Sequence, residues 1–195
     1  MSVDTDALRH AGASLPPGAS RLLPLRLASG MHIRVAERAD APVIASVLSA
    51  AAAKLVQRGE GLWSSAEVSE SAVTPHIDRG LYHLGFEAEC AVGVFRLQFQ
   101  DPAFWPEITD GTSAYLHKLA VHPEKQGRGF ARELLGHAVA LTQEKHLRFL
   151  RLDCVAGRPK LRAVYESFGF KHHSQKQIGS GMFDRFEFDV GAHDA

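Results

Sequence analysis

The stretch VHPEKQGRGFARELL, residues 121–135, decides the fold. A valine ends an apolar run, a proline follows, and Gly127 and Gly129 flank Arg128 just before an amphipathic helix. The N–H groups in the first turn of a helix have no partner within it, and the helix dipole adds partial positive charge there. Glycine permits positive φ and close approach of a ligand. The stretch therefore predicts either a tight turn with a helix cap or a phosphate site.

Two nucleotide-binding motifs can be tested against this stretch. A P-loop needs G-x-x-x-x-G-K-[ST], and neither GKS nor GKT occurs in the chain. A dinucleotide-binding turn needs G-x-G-x-x-G, but Arg132 occupies the position of the third glycine. Both motifs are excluded.

Composition predicts one soluble globular domain. The chain has 195 residues, of which 45% are hydrophobic and 23% charged. Lys plus Arg and Asp plus Glu number 22 each, so no basic field indicates a nucleic acid or an anionic membrane as partner. The N-terminus lacks the pattern of a secretory leader, and the weakly polar stretch 42–53 is shorter than the roughly 20 residues of a membrane span. Two cysteines, Cys90 and Cys154, without metal-site spacing favour reduced thiols in the cytoplasm.

Hydrophobic periodicity predicts a mixed α/β layered domain at residues 30–190, between an N-terminal extension at 1–29 and a tail at 191–195. Residues 101–111 read as a loop with exposed aromatic side chains. Pro75 is expected to kink or split the second helical region. The predicted elements are a strand at 31–36, helices at 41–57 and 64–79, a hairpin at 81–100, a strand at 113–121, a helix ending near 145, a strand at 147–155, a helix ending at Gly169, and strands at 170–175 and 182–190.

Two motifs resemble one known family. Residues 115–135, YLHKLAVHPEKQGRGFARELL, are similar to motif A of the GCN5-related N-acetyltransferase (GNAT) superfamily, whose loop reads Q/R-x-x-G-x-G/A. Residues 161–170, LRAVYESFGF, resemble that family's Y-x-x-x-GF motif. The resemblance spans residues 31–190. It implies the GNAT fold, a mixed, mostly antiparallel central sheet of about six or seven strands flanked by about four helices.

The resemblance also implies acetyl-CoA as co-substrate, with no metal. The main chain of Leu119 and Val121 would contact the pantetheine arm, which pairs with this strand much as a neighbouring strand would. Backbone amides of the loop would hold the pyrophosphate; these belong to Gln126, Gly127, Arg128, Gly129, Phe130 and Ala131.

The expected reaction needs a base and an acid. An alkylammonium with a pKa near 10.4 must lose a proton before it attacks a thioester. Relatives often place a carboxylate on the strand before the loop, and His117 stands at that position here. His117 is the predicted base, with Glu87, Glu89, Asp101 and Asp153 kept as alternatives. Tyr165, in the Y-x-x-x-GF motif, is predicted to protonate the departing thiolate.

The acceptor amine is not identified by the sequence. Arg158 replaces a frequent asparagine and is expected to reach a CoA phosphate or an acidic substrate, or to be a solvated surface residue. The aromatic residues predicted to contact the substrate are Trp63, Tyr82, Phe104, Trp105 and Tyr115.

We therefore expect an N-acetyltransferase acting on a primary amine of a small molecule or peptide by direct attack in a ternary complex. The alternative is a catalytically weak acyl-CoA sensor or scaffold, because His117 replaces the usual carboxylate. The oligomeric state is open, with a homodimer through the C-terminal strands as one expectation.

Overall fold

The computed structural model describes residues 30–193. The extension predicted for residues 1–29 and the last two residues of the predicted tail lie outside the described residues. The start of that tail continues from the last strand as a short 3-10 helix, Val190–His193.

Within residues 30–193, seven strands and four α-helices follow one another in the order that periodicity predicts. The second helical region is divided at Ser69 rather than at Pro75, because Ser69 caps the helix and its hydroxyl accepts from the amide of Ala72 (3.3 Å). The elements are β1 Met31–Val35, α1 Ala41–Gln57, α2 Glu70–Ile77, β2 Tyr82–Glu87, β3 Cys90–Gln98, β4 Ser113–Val121, α3 Phe130–Glu144, β5 Phe149–Val155, α4 Pro159–Phe168, β6 Lys171–Ile178 and β7 Gly181–Asp189.

The strands form a single mixed sheet in the order β1-β2-β3-β4-β5-β7-β6. Among the described strands only β4 and β5 pair in parallel, and α3 makes the crossover between them. The sheet is therefore mostly antiparallel, as predicted.

Helices cover both faces of the sheet. The apolar stripe of α1, including the fully buried Ile44 and Leu48, packs with α2 on one face. On the other face, Leu134 and Leu135 of α3 pack with Tyr165 of α4. Two layers of apolar side chains thus fix the central strands from both sides.

The segment Arg38–Gln57, which includes α1, is long and apolar enough to cross a membrane by length and composition alone. It has 20 residues and a mean hydropathy of 1.5. The buried residues of α1 pack against the sheet, as the apolar face of a core helix does. The predictions of no membrane partner and of a cytoplasmic location stay predictions.

The centre of the sheet opens because β4 and β5 pair only over residues 113–116 and 149–152. A bulge accompanies this opening: the register between β3 and β4 shifts between Val94 and Arg96, and Lys118 takes φ 51°. A bulge of this kind reverses the alternation of side chains along a strand. Leu116 and Val121 consequently share one core although they are an odd number of residues apart.

Candidate active site

A cavity of about 860 Å³ occupies the gap between the diverging strands β4 and β5. Its walls come from the end of α1, β4, the glycine loop, the start of α3, β5 and α4. The loop of residues 126–129 borders one end, which we call the loop end. The other end, the acceptor end, is bordered by side chains that include Trp63, Arg96, Phe104 and His117.

At the loop end, both glycines adopt backbone conformations that favour glycine. Gly127 has φ 79°, and Gly129 has φ 86° and is the N-cap of α3. A Cβ at either position would meet no atom within 4 Å, so the loop faces open space. Within residues 30–193, no backbone carbonyl accepts from the amides of residues 127–129. The loop therefore presents free N–H groups beside the positive end of a helix dipole.

The basic side chains around the loop are tied to an acid. Glu87, from the end of β2, accepts from Lys125 (2.8 Å) and from both terminal nitrogens of Arg128. Hydrogen bonds from Arg128 and then Lys125 hold the pKa of Glu87 below its usual value. Glu87 thus lies at the loop end, away from His117, which argues against it as the base.

The two β4 residues predicted to contact pantetheine lie along the open edge of that strand. Leu119 and Val121 both line the cavity. Beyond residue 116 this edge has no strand partner among residues 30–193, whereas the other edge of β4 pairs with β3. The carbonyl of Val121 accepts from the side chain of Gln126 (3.2 Å), which anchors the loop to the strand.

Tyr165 lines the cavity from α4. Its ring packs against Phe170 and Phe186, with centroids 6.0 and 5.7 Å away. Burial raises the pKa of Tyr165 well above its ordinary value, so the phenol keeps its proton at neutral pH. Burial likewise raises the pKa of the neighbouring Cys154 to about 12, so that cysteine is a thiol and not a thiolate.

At the acceptor end, His117 lies between two carboxylates. Its Nε2 is 3.1 Å from Oδ2 of Asp101, and its Nδ1 is 3.8 Å from Oδ1 of Asp153. Asp101 is buried behind the cavity wall, where its Oδ1 accepts from the amide of Phe104 (3.2 Å). Asp153 and His117 line the cavity itself.

The two carboxylates differ in acidity. Burial raises the pKa of Asp153 to about 6, even though the charge of His117 acts to lower it. Burial also acts to raise the pKa of Asp101. The contact with His117 and the hydrogen bonds from backbone amides act in the opposite direction and together outweigh burial, so the pKa of Asp101 is lowered. Asp101 is thus the permanent anion beside His117, whereas Asp153 changes charge near pH 6.

Asp101, His117 and Asp153 offer ligand atoms that lie within 4.8 Å of one another, a spacing that a metal ion could use. The two carboxylates approach different nitrogens of the imidazole, Asp101 at Nε2 and Asp153 at Nδ1. This arrangement suits proton transfer and orientation better than a shared ion. The expectation of a metal-free site stays a prediction.

Of the five aromatic residues predicted to contact substrate, only Trp63 and Phe104 line the cavity. Tyr82 is buried in the core beneath α1 and α2, and Tyr115 is buried beside Trp105. Trp105, which was expected to be exposed, is 1% exposed because the guanidinium groups of Arg151 and Arg185 lie over its ring, 5.3 and 4.5 Å from the centroid.

Sequence reasoning missed two cations at the acceptor end. Arg96 of β3 and Lys118 of β4 both line the cavity, and the sequence predicted neither as a site residue. No local signal marked Arg96, which reaches the cavity only because β3 pairs with β4 there. Arg158, the predicted phosphate or substrate ligand, lines the cavity too, and its Nη2 donates to the carbonyl of Gly61 (2.8 Å).

Comparison with known proteins agrees with this geometry. Residues 51–170 match the model of the Acetyltransferase (GNAT) family. The chain belongs to this family. It is therefore an acyltransferase with the GNAT fold, as the two motifs predicted.

Individual relatives are distant. The chain is 27% identical over 165 residues to the uncharacterized N-acetyltransferase YesJ of Bacillus subtilis (strain 168), covering 82% of this chain and 92% of that protein. A GNAT-family acetyltransferase structure from Listeria monocytogenes 4b F2365 matches with a TM-score of 0.69 at 22% identity, over 82% of this chain and 94% of that one. The PaiA N-acetyltransferase of Thermoplasma acidophilum, in complex with coenzyme A, matches with a TM-score of 0.64 at 18% identity, over 81% and 99% of the two chains.

Proposed function

We propose that this protein is an N-acetyltransferase that transfers the acetyl group of acetyl-CoA to a primary amine by direct attack. The observation that carries the proposal is that one cavity connects two features. The loop with the free amides of residues 127–129 borders one end, and His117 and Asp153 line the other. One cavity thus offers an anion cradle at one end and a proton acceptor at the other.

The residues present fit coenzyme A. The cradle at Gly127 and Gly129 is open and rich in N–H donors, which suits a pyrophosphate. The unpaired edge of β4 from residue 117 onward suits the amides of a pantetheine arm. When bound, acetyl-CoA supplies the thioester that the amine attacks.

His117 and Asp153 act together on the amine. A free alkylamine is scarce at neutral pH because its pKa is about 10.4, so a proton acceptor in the cavity is required. His117 takes one proton from the ammonium and passes it to solvent, which gives the free amine; it then accepts the second proton of the nitrogen as the new N–C bond forms, while Asp101 orients the ring from behind. Ionised Asp153 stabilises the imidazolium that results.

Tyr165 completes the transfer. As the C–S bond breaks, the electron pair leaves with the sulfur, and the Tyr165 hydroxyl donates a proton to it. Burial raises the pKa of Tyr165, so the phenol remains protonated at neutral pH and its hydroxyl can hydrogen-bond to the sulfur as negative charge develops there. His117 returns its proton to solvent, from which Tyr165 is reprotonated, so protons balance over the cycle. The thiol state of Cys154 supports direct attack over a covalent acetyl-enzyme.

The sensor alternative was motivated by the histidine in place of a carboxylate. Asp101 and Asp153, from other segments of the chain, place two carboxylates beside His117. Their presence favours an enzyme over a sensor.

Release of free thiol from acetyl-CoA, measured with a panel of primary amines, tests the proposal. We expect amine-dependent thiol release at rates far above hydrolysis without amine. Tight acetyl-CoA binding with no transfer to any amine would favour the sensor instead.

A further inference from the structure

Arg96 brings a positive charge to the acceptor end, where Asp101 and Asp153 act on it through space without forming an ion pair. Its Nη1 lies 3.0 Å from Nε2 of His76, and its Nε is buried with no partner. Among residues 30–193, no carboxylate forms an ion pair with Arg96. Burial lowers the pKa of Arg96, which reflects a cation held out of water. A partly buried guanidinium whose Nε–H is buried without a partner is costly unless a ligand satisfies it.

Lys118 carries a second charge to the same wall. Its Nζ lies 3.5 Å from Glu67 and 4.8 Å from the centre of the Trp63 ring. Glu67 is a weak partner, because the contact is long and the Glu67 side chain is 55% exposed; its Oε1 faces Lys118, and its Oε2 accepts from the amide and hydroxyl of Ser64. The backbone of Lys118 is in the left-handed region, where a residue with a Cβ costs about 1 kcal/mol or more. Strain of this kind persists at functional sites.

The two cations lie beside the catalytic histidine. Arg96 is the register partner of His117 across β3 and β4, and Lys118 follows His117 in the chain. Two acids of this end, Asp101 and Asp153, face the imidazole, whereas Glu67 faces Lys118 and Glu60 also lines the cavity. The acceptor end therefore offers a proton acceptor for a nitrogen and, next to it, donors for an anion.

We propose that the acceptor substrate is an amino acid whose carboxylate binds Arg96 and Lys118 while its amine lies against His117. This inference rests on the proposed function and narrows its substrate class. A guanidinium fork matches a planar carboxylate, and the ammonium of Lys118 adds a point charge. Amines that carry only positive charge would place a second cation against these two and be disfavoured.

The first test needs no variant. Thiol release is measured for an amino acid, for the amide of the same amino acid, and for a diamine of similar length. We expect kcat/KM for the acid to exceed that for the amide by about 10²-fold, since charge-assisted hydrogen bonds to a buried cation are lost. The amine of the amide is the more readily deprotonated, so it would be favoured if only nitrogen chemistry mattered. An amide or diamine used as well as the acid overturns the inference.

The second test uses Arg96→Gln and Lys118→Met, with Lys171→Met as the matched control. Lys171 is an exposed lysine on β6 that does not line the cavity. We expect the first two variants to raise KM for the acid by about 10-fold or more, to change kinetics with the amide little, and to keep acetyl-CoA affinity. Equal losses with acid and amide would assign both residues a structural role and contradict the proposal.

A binding measurement separates this inference from the proposed function. Calorimetric titration of the N-acetylated amino acid into the protein with coenzyme A present reports the anion site without turnover. Transfer to amines with no preference for acids overturns the inference and leaves the function standing. Binding of the acid, weakened in Arg96→Gln, without transfer to any amine overturns the function and supports the anion site.

Discussion

The loop end of the cavity is made from the backbone of one continuous segment, residues 121–131, whereas the acceptor end is made from side chains of several separate segments. At the loop end the working groups are amides, and Glu87 partners the nearby Lys125 and Arg128. At the acceptor end the working groups are ionisable, and burial changes their pKa values. The loop end can thus be local and fixed, while the acceptor end can vary residue by residue.

Replacing His117 should break the acceptor end and leave the loop end intact. Glutamine keeps much of the volume beside Asp101 but cannot accept a proton. We expect His117→Gln to lower kcat by about 10²- to 10⁴-fold, the usual contribution of a positioned base, with the Kd for acetyl-CoA unchanged. Steady-state assays at saturating acetyl-CoA and calorimetry measure the two quantities. Unaltered kcat would remove His117 from the mechanism and point to Asp153 as the acceptor.

Tyr165 lies along the wall between the two ends, and its hydroxyl can be removed without disturbing the ring. Phenylalanine preserves the packing on Phe170 and Phe186. We expect Tyr165→Phe to lower kcat by about 10- to 100-fold, less than loss of the base, because a thiolate with a pKa near 8.5 is already a fair leaving group. A fall in thermal stability that matches the fall in kcat would indicate a packing role instead.

Gly129→Ala should break the loop end alone. A Cβ at φ 86° costs about 1 to 2 kcal/mol, and it also stands where the anion approaches. Gly179, in the exposed turn between β6 and β7 with φ 57°, offers a control with similar backbone strain far from the cavity. We expect Gly129→Ala to raise the Kd for acetyl-CoA by about 10-fold, and Gly179→Ala to lose comparable stability without any change in that Kd.

The same contrast explains which features the sequence predicts. The order of elements, the glycine loop and Tyr165 each follow from contiguous patterns; the structure has the predicted order, and the loop and Tyr165 line one cavity. The acceptor end depends on contacts between distant segments: Arg96 reaches His117 only through strand register, and Asp101 through the loop that follows β3. Stacking of two arginines on Trp105 likewise buried a side chain that its loop position predicted to be exposed.

The bulge at Lys118 adds a further obstacle to prediction. Strict alternation along β4 would assign Leu116, Lys118 and Ala120 to one face. The extra residue instead places Leu116 and Ala120 in different cores, and Lys118 lines the cavity. The identity of Lys118 does not predict a bulge, since lysine is not among the residues that favour a left-handed backbone. The position of Lys118 at the cavity beside His117 could therefore not be predicted from the sequence alone.

Asp153→Asn tests how far the buried charge of Asp153 lowers the free energy of unfolding of the protein. The folded protein raises the pKa of Asp153 from 3.8 to about 6, so the native state binds this proton more tightly than the unfolded state. The free energy of unfolding must then decrease as pH rises from about 4 to about 6. Asparagine carries no charge at any pH, so the variant should be more stable than the wild type above pH 6, by up to about 3 kcal/mol at about 1.4 kcal/mol per pKa unit.

Chemical denaturation at about pH 8 and about pH 4.5 measures this difference. We expect the advantage of Asp153→Asn to be largest at the higher pH and small at the lower one, because Asp153 becomes protonated in the native wild type. In kinetics, the wild type should lose activity below about pH 6, where protonated Asp153 no longer stabilises the imidazolium of His117, and the variant should be only several-fold slower than the wild type at pH 8 because His117 remains as the base. A variant that is less stable than the wild type at pH 8 would contradict this prediction. It would mean that the attraction of His117 offsets the full cost of burying ionised Asp153, so that the buried charge does not destabilise the acceptor end.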